Sequence, residues 1–121
     1  MKLTNEQIYT YSKSLQNTLD NSIYMPAKIN FYICKNVDLL AAAAKGIEES
    51  RLKVAEHYGT LTEDGTQYLI PQDKLSEANR ELVELFSIEQ ELDIKTFSIE
   101  DIEKVELTGA QMQALMFMIE G

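Results

Sequence analysis

PAKINFYICKNVDLLAAAAKGIEESRLKVAEHY, residues 26–58, is the stretch that decides the fold. Ile33, Val37, Leu40, Ala44, Ile47, Val54 and Tyr58 fall on alternating steps of four and three, with Arg51 the one polar interruption. That spacing holds every member on one side of an α-helix and makes a seam for a second helix. Pro26 suits the first helical turn, where its missing amide hydrogen would be unpaired anyway. Ala41 to Ala44 favour helix and let a neighbour approach closely, whereas Gly46 costs about 1 kcal/mol relative to alanine; the helix is expected to be continuous or to bend only there. Gly59 follows as the stop. A helix over the whole span is roughly 50 Å long, wider than a domain of this size, and reads as a scaffold or an assembly handle.

Working outward, Thr4-Asn5-Glu6-Gln7 has the spacing of a capping box, and Ile8, Tyr11, Leu15 and Leu19 form a narrow apolar stripe behind it. Asp20-Asn21-Ser22 is expected to end that helix. Beyond Gly59 the period changes. Thr60-Leu61-Thr62 and Thr66-Gln67-Tyr68-Leu69-Ile70 flank Asp64-Gly65 and predict a hairpin, with Pro71 closing its second strand. Asp73 is expected to cap a third helix with Leu75, Ala78, Leu82 and Leu85 on one face. From Gln90 to Phe97 the alternation has strand period, and pairing with the hairpin is expected because a lone hairpin is marginal in water. Ser98-Ile99-Glu100-Asp101 starts a short helix, and Thr108-Gly109-Ala110-Gln111 opens a last one with Met112, Leu115, Met116 and Ile119 inward. The predicted fold is a single α+β domain over residues 1–121, mostly helical. Its long central helix is joined by N- and C-terminal helices and a small antiparallel sheet, hairpin plus one strand.

At 121 residues, 45% apolar and 8% aromatic, the chain can bury a core without disulfides or metal. Twenty acidic against 11 basic side chains give a net charge of −9, which repels phosphate backbones and argues against direct nucleic-acid or anionic-membrane binding. Cys34 is the only cysteine, so an internal disulfide and a four-cysteine zinc site are excluded; beside Ile33 it is expected to be a buried small hydrophobe. The first residues lack the apolar core of a signal peptide, and no apolar run is long enough to span a bilayer. A soluble cytoplasmic protein is expected.

Catalytic chemistry finds little footing. His57 is the only histidine and lies far along the same predicted helix as Cys34, roughly 35 Å away at helical rise, so the two form no nucleophile pair unless that helix folds back, for example near Gly46, or they come from different subunits. Glu49, Glu56 and His57 are the nearest thing to a metal set, but a consistent ligand geometry is missing, and no metal or other cofactor is expected. Glu100, Asp101 and Glu103, like Glu89, Glu91 and Asp93, read as solvated faces rather than acid–base pairs. Phosphate loops, nucleophile elbows and zinc-protease motifs are absent from the sequence. No catalytic residue is assigned, and the chain is expected not to be an enzyme.

One surface feature stands against the acidic background. Lys28, Tyr32, Lys35 and Asn36 fall at i, i+4, i+7 and i+8 and share a helix face away from the seam, with Phe31 placed on yet another side. Aromatic and cationic anchors are favoured at interface hot spots, so Lys28, Phe31, Tyr32, Lys35 and Asn36 are the candidate partner-binding patch.

The segment Tyr24-Met25-Pro26-Ala27-Lys28-Ile29-Asn30-Phe31-Tyr32-Ile33-Cys34-Lys35-Asn36 resembles part of a family of small proteins encoded by phages and prophages of low-GC Gram-positive bacteria. The likeness extends from Lys2-Leu3-Thr4-Asn5 through Glu48-Glu49-Ser50-Arg51, Tyr58-Gly59, Asp64-Gly65 and Glu91-Leu92-Asp93-Ile94 to Leu107-Thr108, nearly the whole chain in order, as pattern rather than signature. That family has no assigned activity, so the resemblance implies a phage origin and assigns no residue a role. Two functions follow as expectations. In the first, the chain is a non-enzymatic protein-binding module, inhibiting or modulating a host defence or replication protein in the bacterial cytoplasm. In the alternative, it is a virion-associated head or tail accessory component that oligomerises through the long helix. A homo-oligomer, with a dimer favoured, is expected along the seam, helped by the last helix.

Overall fold

The computed structural model describes residues 1–18 and 23–120; it opens with β1 (Lys2–Thr4), which turns directly into α1 (Asn5–Thr18). The turn is the expected capping box. The Gln7 amide donates to Thr4 Oγ1 at 3.1 Å and the Thr4 amide donates to Gln7 Oε1 at 2.9 Å, satisfying two helix-start donors reciprocally. Ile8 and Leu15 are buried and Tyr11 is half-buried. Leu19 and the expected stop at Asp20-Asn21-Ser22 lie outside the described residues.

α2 (Ala27–Tyr58) runs for 32 residues without interruption at Gly46, about 48 Å of helix. Pro26 stands one position earlier than expected, as the cap itself, with its carbonyl accepting from the Asn30 amide at 2.9 Å. At the far end the Gly59 amide donates to the Ala55 carbonyl. Gly59 is extended, so its φ does not demand glycine. A Cβ there would instead stand 2.7 Å from the Ala55 oxygen and 3.1 Å from the Leu69 oxygen, and only glycine lets the following hairpin approach this closely.

On the seam, Ile33, Leu40 and Ile47 are buried, and Val37, Ala44, Val54 and Tyr58 are half-buried. Cover comes from the chain's own elements, since α1 and α3 (Leu75–Ser87) both pack on α2. Tyr9, near the start of α1, donates its hydroxyl to Glu48 in the second half of α2, so the two helices run antiparallel. The same carboxylate receives the Arg51 guanidinium through both Nε and Nη2. A bidentate partner one turn away is what lets a charged residue sit half-buried on an apolar seam. Ile33, Leu40 and Ile47 are thus covered within the chain itself, while the other members of the seam keep part of their surface in solvent.

β2 (Thr60–Leu61) and β3 (Tyr68–Leu69) form the expected antiparallel hairpin, shorter in its second strand than the sequence suggests. Its turn contains Gly65 at φ +73°, and Asp64 Oδ1 accepts from the Thr66 amide and from the Thr62 and Thr66 hydroxyls. These bonds, that to Thr62 foremost, hold the Asp64 carboxyl below its usual pKa. Asp73 does not cap α3; it lies inside a 3-10 turn (Gln72–Lys74) that leads into the helix without a side-chain cap. Of the expected inward face, Ala78 is buried, Leu82 and Leu85 are half-buried, and Leu75 is exposed.

The predicted strand over residues 90–97 is the main departure. Only β4 (Glu89–Glu91) is extended pairing, and it pairs antiparallel with β1, Leu3 opposite Gln90, rather than with the hairpin. The chain then leaves the ladder, with the Ile94 amide donating to the Leu92 carbonyl. Further on, β5 (Phe97–Ser98) pairs in parallel with β6 (Ile119–Glu120). Between them, both backbone groups of Lys95 are taken by the Asn36 side chain: its amide donates to Asn36 Oδ1 at 2.8 Å and its carbonyl accepts from Asn36 Nδ2 at 2.9 Å. A strand neighbour has nothing left to bond at that residue. Among the described residues, three two-stranded ladders stand where one sheet is expected from the sequence.

Ser98 and Asp101 cap a 3-10 turn (Ile99–Ile102), and Thr108 and Gln111 form the expected box at the start of α4 (Gly109–Leu115). After Leu115 the chain tightens into a 3-10 turn (Met116–Met118). Three residues per turn instead of 3.6 rotates the apolar line, so Met118 enters the core while Met116, expected inward, is 61% exposed. One hydrophobic cluster joins Leu3, Ile8 and Leu15 to Ile29, Leu40, Phe97, Ile102 and Leu115, with Tyr11 stacked on Phe117 at 4.2 Å along its edge. The fold is mostly helical α+β. Among the described residues no helix is long and apolar enough to cross a membrane.

Candidate protein-binding surface

The orientation of the first half of α2 is fixed from its buried side. Met25, Ile29, Ile33, Asn36 and Leu40 face the core. Lys28, Phe31 and Lys35 therefore point to solvent, and Tyr32 lies half-buried at the boundary. Residues 28, 31, 32 and 35 are spaced i, i+3, i+4, i+7, and the structure puts all four on one face. Phe31 belongs with the others and not on a separate side: its ring centre is 6.5 Å from that of Tyr32, and Lys28 Nζ is 5.6 Å from the Tyr32 ring. Phe31 is 57% exposed, and Tyr24, in the extended residues before Pro26, is 83% exposed.

Asn36 is not part of this patch. It is fully buried, and besides its two bonds to Lys95 it donates from Nδ2 to Met118 Sδ. Position 36 follows Ile29 and Ile33 around the helix toward the core, so the i+8 spacing from Lys28 that suggested a shared face was already drifting inward. Cys34 is exposed rather than a buried hydrophobe, because it stands about 100° around the helix from Ile33. Tyr24 was missed in the sequence; an aromatic ring ahead of a helix has no periodic neighbours to reveal its side.

Elsewhere the chemistry-bearing residues stay apart. Cys34 and His57 occupy one unbroken helix, about 35 Å from each other. Glu49, Glu56 and His57 are all exposed, and among the described residues no group of three or more His, Cys, Asp or Glu converges on a metal-sized site. His57 packs edge-on against Tyr58. The Glu81 carboxylate beside the Tyr58 hydroxyl pushes that phenol above its usual pKa. Asp101 is engaged in capping Ser98, and Asp93 pairs with Lys95 at 2.9 Å, which holds its carboxyl below the ordinary range.

Comparison with protein-family models, with curated proteins and with solved structures gives no match to this chain.

Proposed function

We propose that this chain is a non-enzymatic, phage-encoded protein-binding module. It works in the bacterial host cytoplasm by occupying a surface of a host defence or replication protein, with Lys28, Phe31, Tyr32 and Lys35 as the contact face. The observation that supports this most is Phe31: a phenyl ring more than half exposed, beside a second aromatic and between two lysines, on a rigid helix of an acidic protein. An aromatic anchor already fixed by its helix loses little entropy on binding. The phage origin comes from the sequence resemblance alone.

The test is retention of a partner by the tagged wild-type chain against Phe31→Ala and Lys35→Glu in a low-GC Gram-positive host extract, with each variant's melting curve alongside. A partner kept by the wild type and lost by both variants, at unchanged melting temperature, supports the module. Equal retention by all three removes this face from consideration.

A virion or assembly role retains one observation in its favour, the 32-residue helix with an uncovered outer side. With Ile33, Leu40 and Ile47 covered inside the chain, copies would have to join through that outer side. Light scattering on concentrated wild type discriminates: a persistent monomer leaves the modulator, a closed oligomer broken by Phe31→Ala favours assembly.

A further inference from the structure

We infer that the groove between residues 23–26 and residues 99–106 is a docking site for a basic segment of a protein partner, one with Lys or Arg side chains around an apolar residue. The groove is an open depression of about 600 Å³, in the range of sites that hold a few side chains. Ile23, Pro26 and Val105 give it an apolar floor, and Tyr24 stands on its lip with 83% of its surface in solvent. Glu100, Glu103 and Glu106 line the opposite wall.

These three carboxylates have no ion-pair partner among the described residues, where the ion pairs are those of Met1, Arg51 and Lys95. Lys104 is the single opposing charge in the lining, and Asp101 already accepts from the Ser98 amide and hydroxyl. The Val105 amide donates to the Ile102 carbonyl at 3.0 Å, which fixes the turn that presents the wall. The glutamates do not converge, since no group of three acidic, His or Cys side chains among the described residues could hold one metal ion. A row of separated carboxylates over an apolar floor matches a row of cations on a chain, not a single ion. Lys and Arg suit it because their aliphatic stems cover apolar surface while their heads reach the rim. An Arg over Tyr24 adds a cation–π contact. The net charge of −9 steers such a segment in and turns an anionic ligand away.

The groove adds a partner chemistry to the protein-binding reading, on which it rests, and it is separable from the Phe31 face. The probes are two labelled synthetic peptides, one alternating Arg and Leu, the other with Ser in place of each Leu. They are titrated into the full chain at physiological salt, and amide NMR shifts locate the contact. The Arg/Leu peptide should bind about tenfold more tightly than the Arg/Ser peptide, with shifts gathered at Tyr24 and over residues 100–106. The triple variant Glu100→Lys, Glu103→Lys, Glu106→Lys should weaken it about tenfold. The triple variant Glu49→Lys, Glu63→Lys, Glu84→Lys, of equal net charge and all exposed, should stay within about twofold of wild type. Should the first triple variant fail to fold, Tyr24→Ser tests the lip with one exposed side chain and should weaken binding about threefold.

Equal loss in both triple variants, equal affinity of the two peptides, or shifts spread over the acidic surface would overturn the assignment in favour of general electrostatics. Phe31→Ala should leave peptide affinity unchanged. Absent peptide binding beside a Phe31-dependent partner sinks the groove alone. Groove-specific binding beside Phe31-independent capture sinks the contact face alone.

Discussion

The two halves of α2 carry one continuous four-three stripe but are built into the molecule differently. Over residues 27–40 the core-facing side is the more tightly closed: Ile33 and Leu40 of the stripe are buried together with their neighbours Ile29 and Asn36, of the stripe Val37 alone is half-buried, and Asn36 locks the backbone of Lys95 to the helix. Over residues 41–58 only Ile47 is buried, and Ala44, Arg51, Val54 and Tyr58 meet the covering elements with part of their surface still wet. Pattern alone cannot tell these halves apart. Burial depends on what is laid against the stripe: the first half lies under the central cluster, whereas the second is covered by the start of α1, by α3 with only Ala78 buried, and by a four-residue hairpin ladder. The more tightly closed half is also the one whose outer side carries Phe31. On the proposed reading, a closely packed back behind an exposed Phe31 suits an element that presents side chains without moving.

Paired truncations break that comparison most severely. Leu40→Ala removes a fully buried side chain from the centre of the cluster and should cost about 3–5 kcal/mol. Val54→Ala removes fewer atoms from a half-wet site and should cost about 1 kcal/mol or less. Urea midpoints at constant slope measure both; equal losses would mean that the halves are sealed alike. Next in size is Asn36→Ala. It strands the amide and carbonyl of Lys95 and leaves a space beside Met118, for about 2–4 kcal/mol. Hydrogen exchange should show the loss first at the Lys95 amide. A variant as stable as wild type would mean that water replaces the side chain without penalty.

The same asparagine marks the limit of what the sequence discloses. The three capping boxes or box-like starts at Thr4, Ser98 and Thr108, the Asp64-Gly65 turn and the extent of α2 are all local chemistry, and each was legible. Long-range pairing was not. Asn5 is buried like Asn36, its Nδ2 donating to the Leu85 carbonyl and its Oδ1 accepting from Gln90 Nε2. A buried amide looks like a surface residue in any apolar pattern, yet these two side chains decide where residues 88–95 go. That is why the strand was expected against the hairpin and is found against β1. For the contact face, Lys28, Tyr32 and Lys35 were identifiable by spacing, whereas excluding Asn36 and bringing Phe31 onto the same face required knowing which side of the helix start the core occupies.

A smaller effect separates the halves by pH. Glu48 lies in the wetter half, and its carboxyl is held below the ordinary value of 4.5, chiefly by the hydrogen bonds from Arg51 and with a contribution from Tyr9. A depressed folded-state pKa contributes stability that is present above the ordinary value and is lost as pH falls through the folded one. Glu48→Gln should therefore be less stable than wild type near neutrality, with the two curves converging in acid. The gap should be small because both partners are solvated. Parallel curves down to the acid limit would mean that the triad contributes nothing as an ion pair.

The smallest expected change is in Phe31→Ala. Its ring is 57% exposed and touches Tyr32 rather than the core, so the substitution uncovers little apolar surface and leaves no polar group unmet. Surface changes of this kind stay within about 0.5 kcal/mol. A ring that stabilises the fold so little, kept in solvent on the face opposite the most tightly sealed part of the helix, costs solubility unless it meets something. Urea unfolding and partner retention on the same preparation separate the two roles. Unchanged stability with lost retention assigns the ring to a partner. A loss comparable to that of Leu40→Ala would place Phe31 in the packing of the helix and leave the contact face without its anchor.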